Sequence, residues 1–371
     1  MKVIEIGHIV AGPTAGLLLS DLGFEVIKVE KPGYGDISRT LTGTSSGAFP
    51  FYNRNKKSIT IDLKKKEGVE ILMNLIKHTD VLIDNLGYGA LNSLGLQYEK
   101  MVEINSGLIY LTIRGYGEGP YEKRKSLDFP IEVHSGLAYM TGIKDRPMRV
   151  GASIIDMSAA MFGVIAVLNA IIERERTGKG KKITIGMFET AEFFMGQHIA
   201  SYQLIGKDLK PLNEEGFAWG IYDFFSTLDG KKIFIAVTTD DQWKKFCGLF
   251  SLDADEFPSN AIRYSNRDKL IPKISDIVSR IPLETITKLL DKENISYSIL
   301  YKPWDLLNDI HAGSKMIEEK YNGRTLKVPT SPLGNSQLND PPQLGENTEE
   351  LLRDLGYNSQ DIERFKREHI I

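Results

Sequence analysis

The sequence predicts an α/β protein: a mainly parallel sheet with helices on both faces, followed by a smaller α+β domain. Three observations predict it. Short apolar runs alternate with amphipathic runs from Val3 to Ile113, the pattern of repeated strand–helix–strand units. The first of these units ends in an acid, as nucleotide-binding units do. From Tyr222 the pattern changes to two adjoining strands around Asp229-Gly230, an antiparallel hairpin signal. A chain of 371 residues is long for a single core, so two domains are expected.

Taken in order, Val3 to Ile6 is a short strand. The loop from Gly7 to Gly16 leads into a helix, LLLSDL, which ends at Gly23. Phe24 to Val29 is a second strand, finishing at Glu30. The dinucleotide fingerprint GxGxxG is absent, because AGPTAG has the wrong spacing. A nicotinamide cofactor is therefore unsupported, while the helix N-terminus still suits a nucleotide or pantetheine. Ser58 to Leu63 is a strand, and Val69, Leu72, Met73 and Ile76 fall at helical spacing. Asp80 to Asp84 and Leu108 to Ile113 are further strands, separated by two short helices. Ligands should gather at the carboxyl ends of these strands, which are His8, Glu30, Asn85 and Arg114. Ser126 to Met140 reads as one helix with Asp128 in its first turn. Phe188 to Leu204 is a long apolar helix, and Lys207 to Phe217 a polar linker. The hairpin from Tyr222, three helices and the strand NISYSILYKP complete a compact α+β unit.

Composition excludes several classes. A net charge of −3 makes no broad case for nucleic acid. The lysine patches at 64–66 and at 179, 181 and 182 are interleaved with acids. They suit a solvated surface or local phosphate contact. The single cysteine, Cys247, excludes an internal disulfide and any multi-cysteine metal site; its amphipathic surroundings fit a buried small apolar residue. The N-terminus reads as a strand rather than a signal peptide, and no stretch reads as the ~18 apolar residues of a membrane span. A cytoplasmic protein is expected.

One carboxylate stands out. Asp156 follows Ile154-Ile155 and precedes a small-residue helical run, Ser158 to Ala170. Two readings stand side by side. One is a first-turn acid that satisfies free N–H groups and the helix dipole. The other is a partly desolvated nucleophile or base at a helix N-terminus.

The ordered landmarks resemble the third family of CoA-transferases, which includes formyl-CoA transferase, carnitine CoA-transferase and alpha-methylacyl-CoA racemase. They are HIVAGP with GFEVIKVEKPGYGDISR, NRNKKSITIDLK, DVLIDNLGYGALNSLGL, LIYLTIRGYGEGPY, VGASIIDMSAAMFGVIAVLNAIIERERTGKGKKITIGMFETA, SPLG and LGENTEELLRDLGY. The resemblance implies a Rossmann-like large domain built from both chain ends, residues 1–205 and a return segment at 326–371. A linker at 206–220 and a small α+β domain at 221–325 lie between, and two chains interlock as a homodimer. It also implies that Asp156 attacks an acyl-CoA thioester, passing through anhydride and aspartyl-CoA intermediates to a free carboxylic acid. Coenzyme A is then a substrate, with no permanently bound cofactor, metal, nucleic acid or membrane partner. An ionised carboxylate is the nucleophile, so a helix N-terminus is expected to help it. The CoA site carries over to His8, Ile9, Val10, Ala11, Arg39, Lys64, Asn85 and Lys125. Asp128 is a candidate supporting acid, with helix capping as its other reading.

Departures bear on the reaction. Racemase members place a His where this chain has Leu127, and an apolar side chain cannot be the second base that inversion needs. His134 lies about two turns further along the expected helix. The consecutive glycines of formyl-CoA transferases are reduced here to Gly216 and Gly220, and a family arginine is replaced by Ser93. CoA transfer through Asp156 is therefore expected ahead of an acyl-CoA racemase or a non-catalytic CoA-binding protein. Trp219, Tyr222 and Phe224 either border a substrate pocket or build the core of the hairpin.

Overall fold

The computed structural model describes residues 1–215, 218–334 and 338–371. The expected Gly216 lies outside these. The chain divides into two compact units. The larger comprises Met1–Thr141, Pro147–Asp208 and Ser314–Ile371, and the smaller Gly142–Arg146 and Leu209–Gly313.

The larger unit is built on six strands: β1 (Lys2–Ile6), β2 (Glu25–Glu30), β3 (Lys56–Thr60), β4 (Val81–Asp84), β5 (Ile109–Arg114) and β6 (Lys182–Gly186). Their order is β3-β2-β1-β4-β5-β6 and every pairing is parallel. This is the doubly wound order, which reverses direction between β1 and β4 and opens a crevice beyond their carboxyl ends. Sequence reading did not single out β6. Its run KITIG is short and sits beside the long apolar helix before it.

Alternation along the strands sends neighbours to opposite faces. Val3, Val26, Val81, Ile83, Ile109 and Leu111 pack on one face beneath helices α1 (Ala11–Asp21), α2 (Asp128–Ser135), α3 (Ile154–Thr177) and α4 (Met187–Ile205). Ile4, Ile27, Ile59, Leu82 and Tyr110 pack on the other, where Leu351, Leu352, Ile362 and Phe365 from the C-terminal segment join them. Both chain ends thus build one core.

Helix α3 buries Ile155, Ala159, Gly163, Val167 and Ile171, a stripe recurring every four residues. Small residues let it sit close to the sheet: a Cβ at Gly163 would lie 3.0 Å from Leu111 Cδ2. That seating fixes where its first turn, and hence Asp156, must lie. By length and composition α3 is apolar enough to cross a membrane, with half of its apolar window buried inside the protein. This corrects the expectation that no stretch approaches a membrane span; the small apolar residues of the helix add up to a longer apolar run than its charged end suggests.

Two other expectations change. The helix read over Ser126 to Met140 is two helices, α2 and a short one at Leu137–Thr141. Gly136 breaks it at φ +86°, a conformation glycine adopts without strain. Strands β10 (Met316–Tyr321) and β11 (Arg324–Pro329) pair along their whole length, after the smaller unit's β7 (Ile221–Ser226), β8 (Lys232–Val237) and β9 (Ser296–Ile299). A hairpin cannot be shared between domains, so the boundary expected at 325/326 falls at 313/314.

The smaller unit carries the antiparallel sheet β7-β8-β9. Gly230 turns the first hairpin at φ +71°. Cys247 is buried in this unit's core with Trp243 and Phe246. Burial pushes its thiol up to about 11, so it behaves as an apolar filler. Trp219 packs on Tyr222 with ring centres 5.1 Å apart, and Tyr222 and Phe224 both pack on Phe234.

Candidate active site

Asp156 opens a cavity of about 670 Å³. Its walls are mostly apolar: Ile9, Val10, Leu41, Phe51, Tyr52, Leu127, Phe129 and Pro130 among them. Asp128, Arg149 and Ser153 supply the polar groups beside Asp156. Asp156 sits in the first turn of α3, yet its carboxyl does not cap the helix. Asp128 does so instead: its Oδ1 accepts the N–H of Ile155 at 3.0 Å and of Asp156 at 3.1 Å. A cap of this kind contributes about 1 kcal/mol. Among the described residues no group hydrogen-bonds the Asp156 carboxyl, which leaves it free for chemistry.

The surrounding charges are ordered around Asp128. Arg149 donates to Asp128 Oδ2 at 3.1 Å and to Ser153 Oγ at 3.2 Å. Glu132, one turn on from Asp128, is fully buried and accepts the Val150 N–H at 2.9 Å. Burial, then the Asp128 charge, push Asp156 up to about 7 against the opposing pull of Arg149. Burial and Asp128 likewise raise Glu132 to about 7, outweighing the Val150 N–H and Arg149. Burial and a like charge thus work against the ionised form at this helix N-terminus. Tyr52 is raised by burial and then by Asp156 and Asp128.

A second cavity, about 360 Å³, lies at the carboxyl ends of β1, β2 and β3. His8 and the exposed Lys64 line it with Asp36 and Leu86. Asn85 takes the His8 N–H at 2.9 Å and donates to the His8 carbonyl at 3.1 Å. It thereby ties β4 to β1 across the point where the strand order reverses. Ile9 and Val10 face the first cavity rather than the second, and Ala11 is buried as the first residue of α1. Burial lowers the His8 imidazole, with Lys28 adding to it and Asp36 opposing.

Arg39 is placed differently from the expected phosphate contact. Its guanidinium makes two bonds to Glu30, at 2.8 and 2.7 Å, and one to the Pro342 carbonyl at 3.1 Å. It also lies 3.7 Å above the Phe49 ring. A fork so engaged holds the loop after β2 rather than presenting itself to a ligand. Lys125 is exposed on the loop between β5 and α2 and lines neither cavity. The Ser93 hydroxyl donates to the Ala90 carbonyl of its own short helix at 2.7 Å.

Leu127 is an exposed wall of the Asp156 cavity. His134 points elsewhere: its Nδ1 meets the Tyr116 hydroxyl at 3.0 Å, and its ring packs on Phe188 and Tyr121. No His, Lys or Cys is among the described residues lining this cavity.

Sequence reading missed Arg149 and Tyr52, which line the cavity with Asp156, and Glu132, which is brought to Val150 and Arg149. It also missed a buried ionic cluster of Glu5, Lys28, Asp36 and Lys56 beneath the first loop. Its signal was present, since charges inside the apolar strands KVIEI and EVIKV call for partners.

The sequence profile of CoA-transferase family III matches residues 1–348. The chain belongs to this family. Human succinyl-CoA:glutarate CoA-transferase is 32% identical over 387 residues, spanning 98% of this chain and 87% of that protein. The succinyl-CoA–L-malate CoA-transferase alpha subunit of Chloroflexus aurantiacus is 31% identical over 398 residues, spanning 100% of this chain and 92% of that protein. A crystal structure of a CAIB/BAIF family protein from Brucella suis superposes with a TM-score of 0.84 at 30% identity, over 96% of this chain and 98% of that one. As a family III CoA-transferase, the protein moves CoA between thioesters and acids, so its site must seat both a nucleotide thioester and a carboxylate.

Proposed function

We propose that Asp156 is the nucleophile of this CoA-transferase. The observation that carries the proposal is its unbonded carboxyl in an apolar-walled cavity, with its helix already capped by Asp128. Ionised Asp156 attacks the thioester carbonyl of an acyl-CoA, forming an acyl–aspartyl anhydride and releasing CoA thiolate. The thiolate attacks the aspartyl carbonyl, which gives an aspartyl-CoA thioester and frees the first carboxylate. The incoming acid's carboxylate attacks that thioester, releasing thiolate and forming a second anhydride. Thiolate attack on its acyl carbonyl yields the new acyl-CoA and restores Asp156. Covalent catalysis splits one exchange into matched steps, and apolar walls protect the anhydrides from water.

The adenosine end of CoA belongs with His8 and Lys64 in the smaller cavity, and pantetheine passes Ile9 and Val10 toward Asp156. This reading is supported by the two cavities sharing the residue 7–10 loop, at the end of the sheet where such folds bind ligands. Arg39 and Asn85 act by holding the loops of that site. The relatives named for succinyl-CoA make dicarboxylic acids the first acceptors to try.

The chain also belongs in a homodimer. Ile165 and Ile172 on α3 and Phe193 and Leu204 on α4 are 56–88% exposed, a large apolar surface for a lone chain. Interlocking belongs to the same proposal, resting on the family resemblance.

Mass spectrometry of acyl-CoA pools in heavy water tests the chemistry. The protein is incubated with succinyl-CoA, acetyl-CoA or a branched acyl-CoA and a panel of acids. A new acyl-CoA that Asp156→Asn fails to make, with CoA binding retained, is expected. Deuterium at the α-carbon with no new acyl-CoA would overturn the reading and put racemisation first.

A further inference from the structure

Residues 7 to 10 form a wall shared by the two cavities. Gly7 and His8 face the smaller one, Ile9 and Val10 the larger. Three consecutive residues of this wall are clamped by polar side chains. Lys28 Nζ donates to the Gly7 carbonyl at 3.0 Å. Asn85 holds both backbone groups of His8. Asp36 Oδ1 accepts the Ile9 N–H at 3.2 Å.

Ile9 needs such a hold. Its φ is +70°, in the left-handed region, which a β-branched side chain resists. A residue kept there persists because its surroundings over-determine it. Asp36 is itself fixed from several sides. Ser38 gives Oδ1 both its N–H and its hydroxyl at 2.8 Å. Oδ2 pairs with Lys28 Nζ at 2.8 Å. Lys28 also reaches Glu5 Oε1 at 2.7 Å. The other Glu5 oxygen takes Lys56 at 2.6 Å, and Lys56 donates to the Pro13 carbonyl in α1 at 2.9 Å. These four charged side chains are 0–5% exposed. The cluster therefore ties the loop to the sheet below it and to the helix beyond it.

We propose that Asp36 is a positioning residue: it holds Ile9 in its left-handed conformation and so sets the walls of both cavities together. The proposal rests on the placement of CoA along this loop. Asp36 touches no reacting atom in this scheme and acts through Ile9.

Glycine at position 9 makes the test specific, because glycine takes φ +70° without a clamp. Affinity for free CoA is measured by calorimetry for Asp36→Asn in the native and Ile9→Gly backgrounds. Asp36→Asn should weaken CoA by about tenfold or more in the native background, and by under about threefold in the Ile9→Gly background. Equal weakening in both backgrounds, or a lowered melting temperature with CoA affinity intact, would overturn the proposal. If Asp36→Asn does not fold, Ser38→Ala loosens Asp36 without changing a charge and is read in the same two backgrounds. His8→Ala separates the two failures. If it weakens CoA while the Asp36 and Ser38 variants do not, the clamp is wrong; if none of them does, CoA does not lie on this wall.

Discussion

Asp128 caps the helix that carries Asp156, accepting the Asp156 N–H at 3.1 Å through a carboxylate oxygen brought from another helix. The contact has two effects that oppose each other chemically. It satisfies the N–H groups that a first-turn acid would otherwise use, so the Asp156 carboxyl is left unbonded. It also sets a negative charge close by, which joins burial in raising Asp156 to about 7. A nucleophile poised near neutrality is partly ionised at working pH, and its ionised form is the more reactive for having been destabilised.

Asp128→Asn and Arg149→Gln should move the pH profile in opposite directions. The rate of the first acyl transfer rises with pH as Asp156 ionises, through about 7 in the native protein. Removing the Asp128 charge lowers that midpoint, and removing the Arg149 charge raises it. Single-turnover release of CoA thiol against pH reads both. Two midpoints that fail to separate would remove Asp128 and Arg149 from the control of Asp156.

Stability should respond to the same group with the opposite slope. Asp156 titrates higher in the folded protein, about 7, than its ordinary 3.8. Its contribution is therefore fully present below 3.8 and is lost as pH rises through about 7. Asp156→Asn, which removes that loss, is expected to stabilise the protein by ~2–4 kcal/mol at high pH and by less in acid. Urea melts at pH 5 and pH 8 make the comparison.

Glu5→Gln should be among the most damaging single changes away from the cavities. It leaves Lys28 and Lys56 buried with one carboxylate fewer between them. Burial already brings Lys56 down to about 8 despite Glu5. The loss is expected at ~3–5 kcal/mol by denaturant unfolding, the usual result of stripping one partner from a buried ionic group. A change under ~1 kcal/mol would mean that water reaches the cluster.

Ile165→Glu, on the exposed face of α3, should convert a dimer to monomer in sedimentation velocity runs without lowering the helix content of the chain. A native protein that sediments as a monomer would sink the dimer proposal.

Much of the architecture was legible because it is written in local pattern. Strand–helix alternation, the Asp229-Gly230 turn and the small-residue run after Asp156 each report on neighbours a few residues away. β6 was missed because five residues carry too little period to stand apart from a long apolar helix. The split at Gly136 was missed because a left-handed glycine changes the path of the chain without changing its hydrophobicity. The site was half legible. Asp156 and Asp128 are legible in the sequence, where capping and supporting stand as alternative roles for Asp128. Its position joins them, since the helix it caps is not its own.

By itself, then, the sequence determined the fold class and the family and drew attention to Asp156, because periodicity and ordered landmarks are properties of a linear chain. Tertiary structure decided which charges meet. It turned Arg39 inward onto Glu30, set Arg149 and Tyr52 beside Asp156, and placed Asp36 beneath Ile9. Burial and electrostatic coupling depend on distances between segments far apart in sequence, and those distances exist only once the chain has folded.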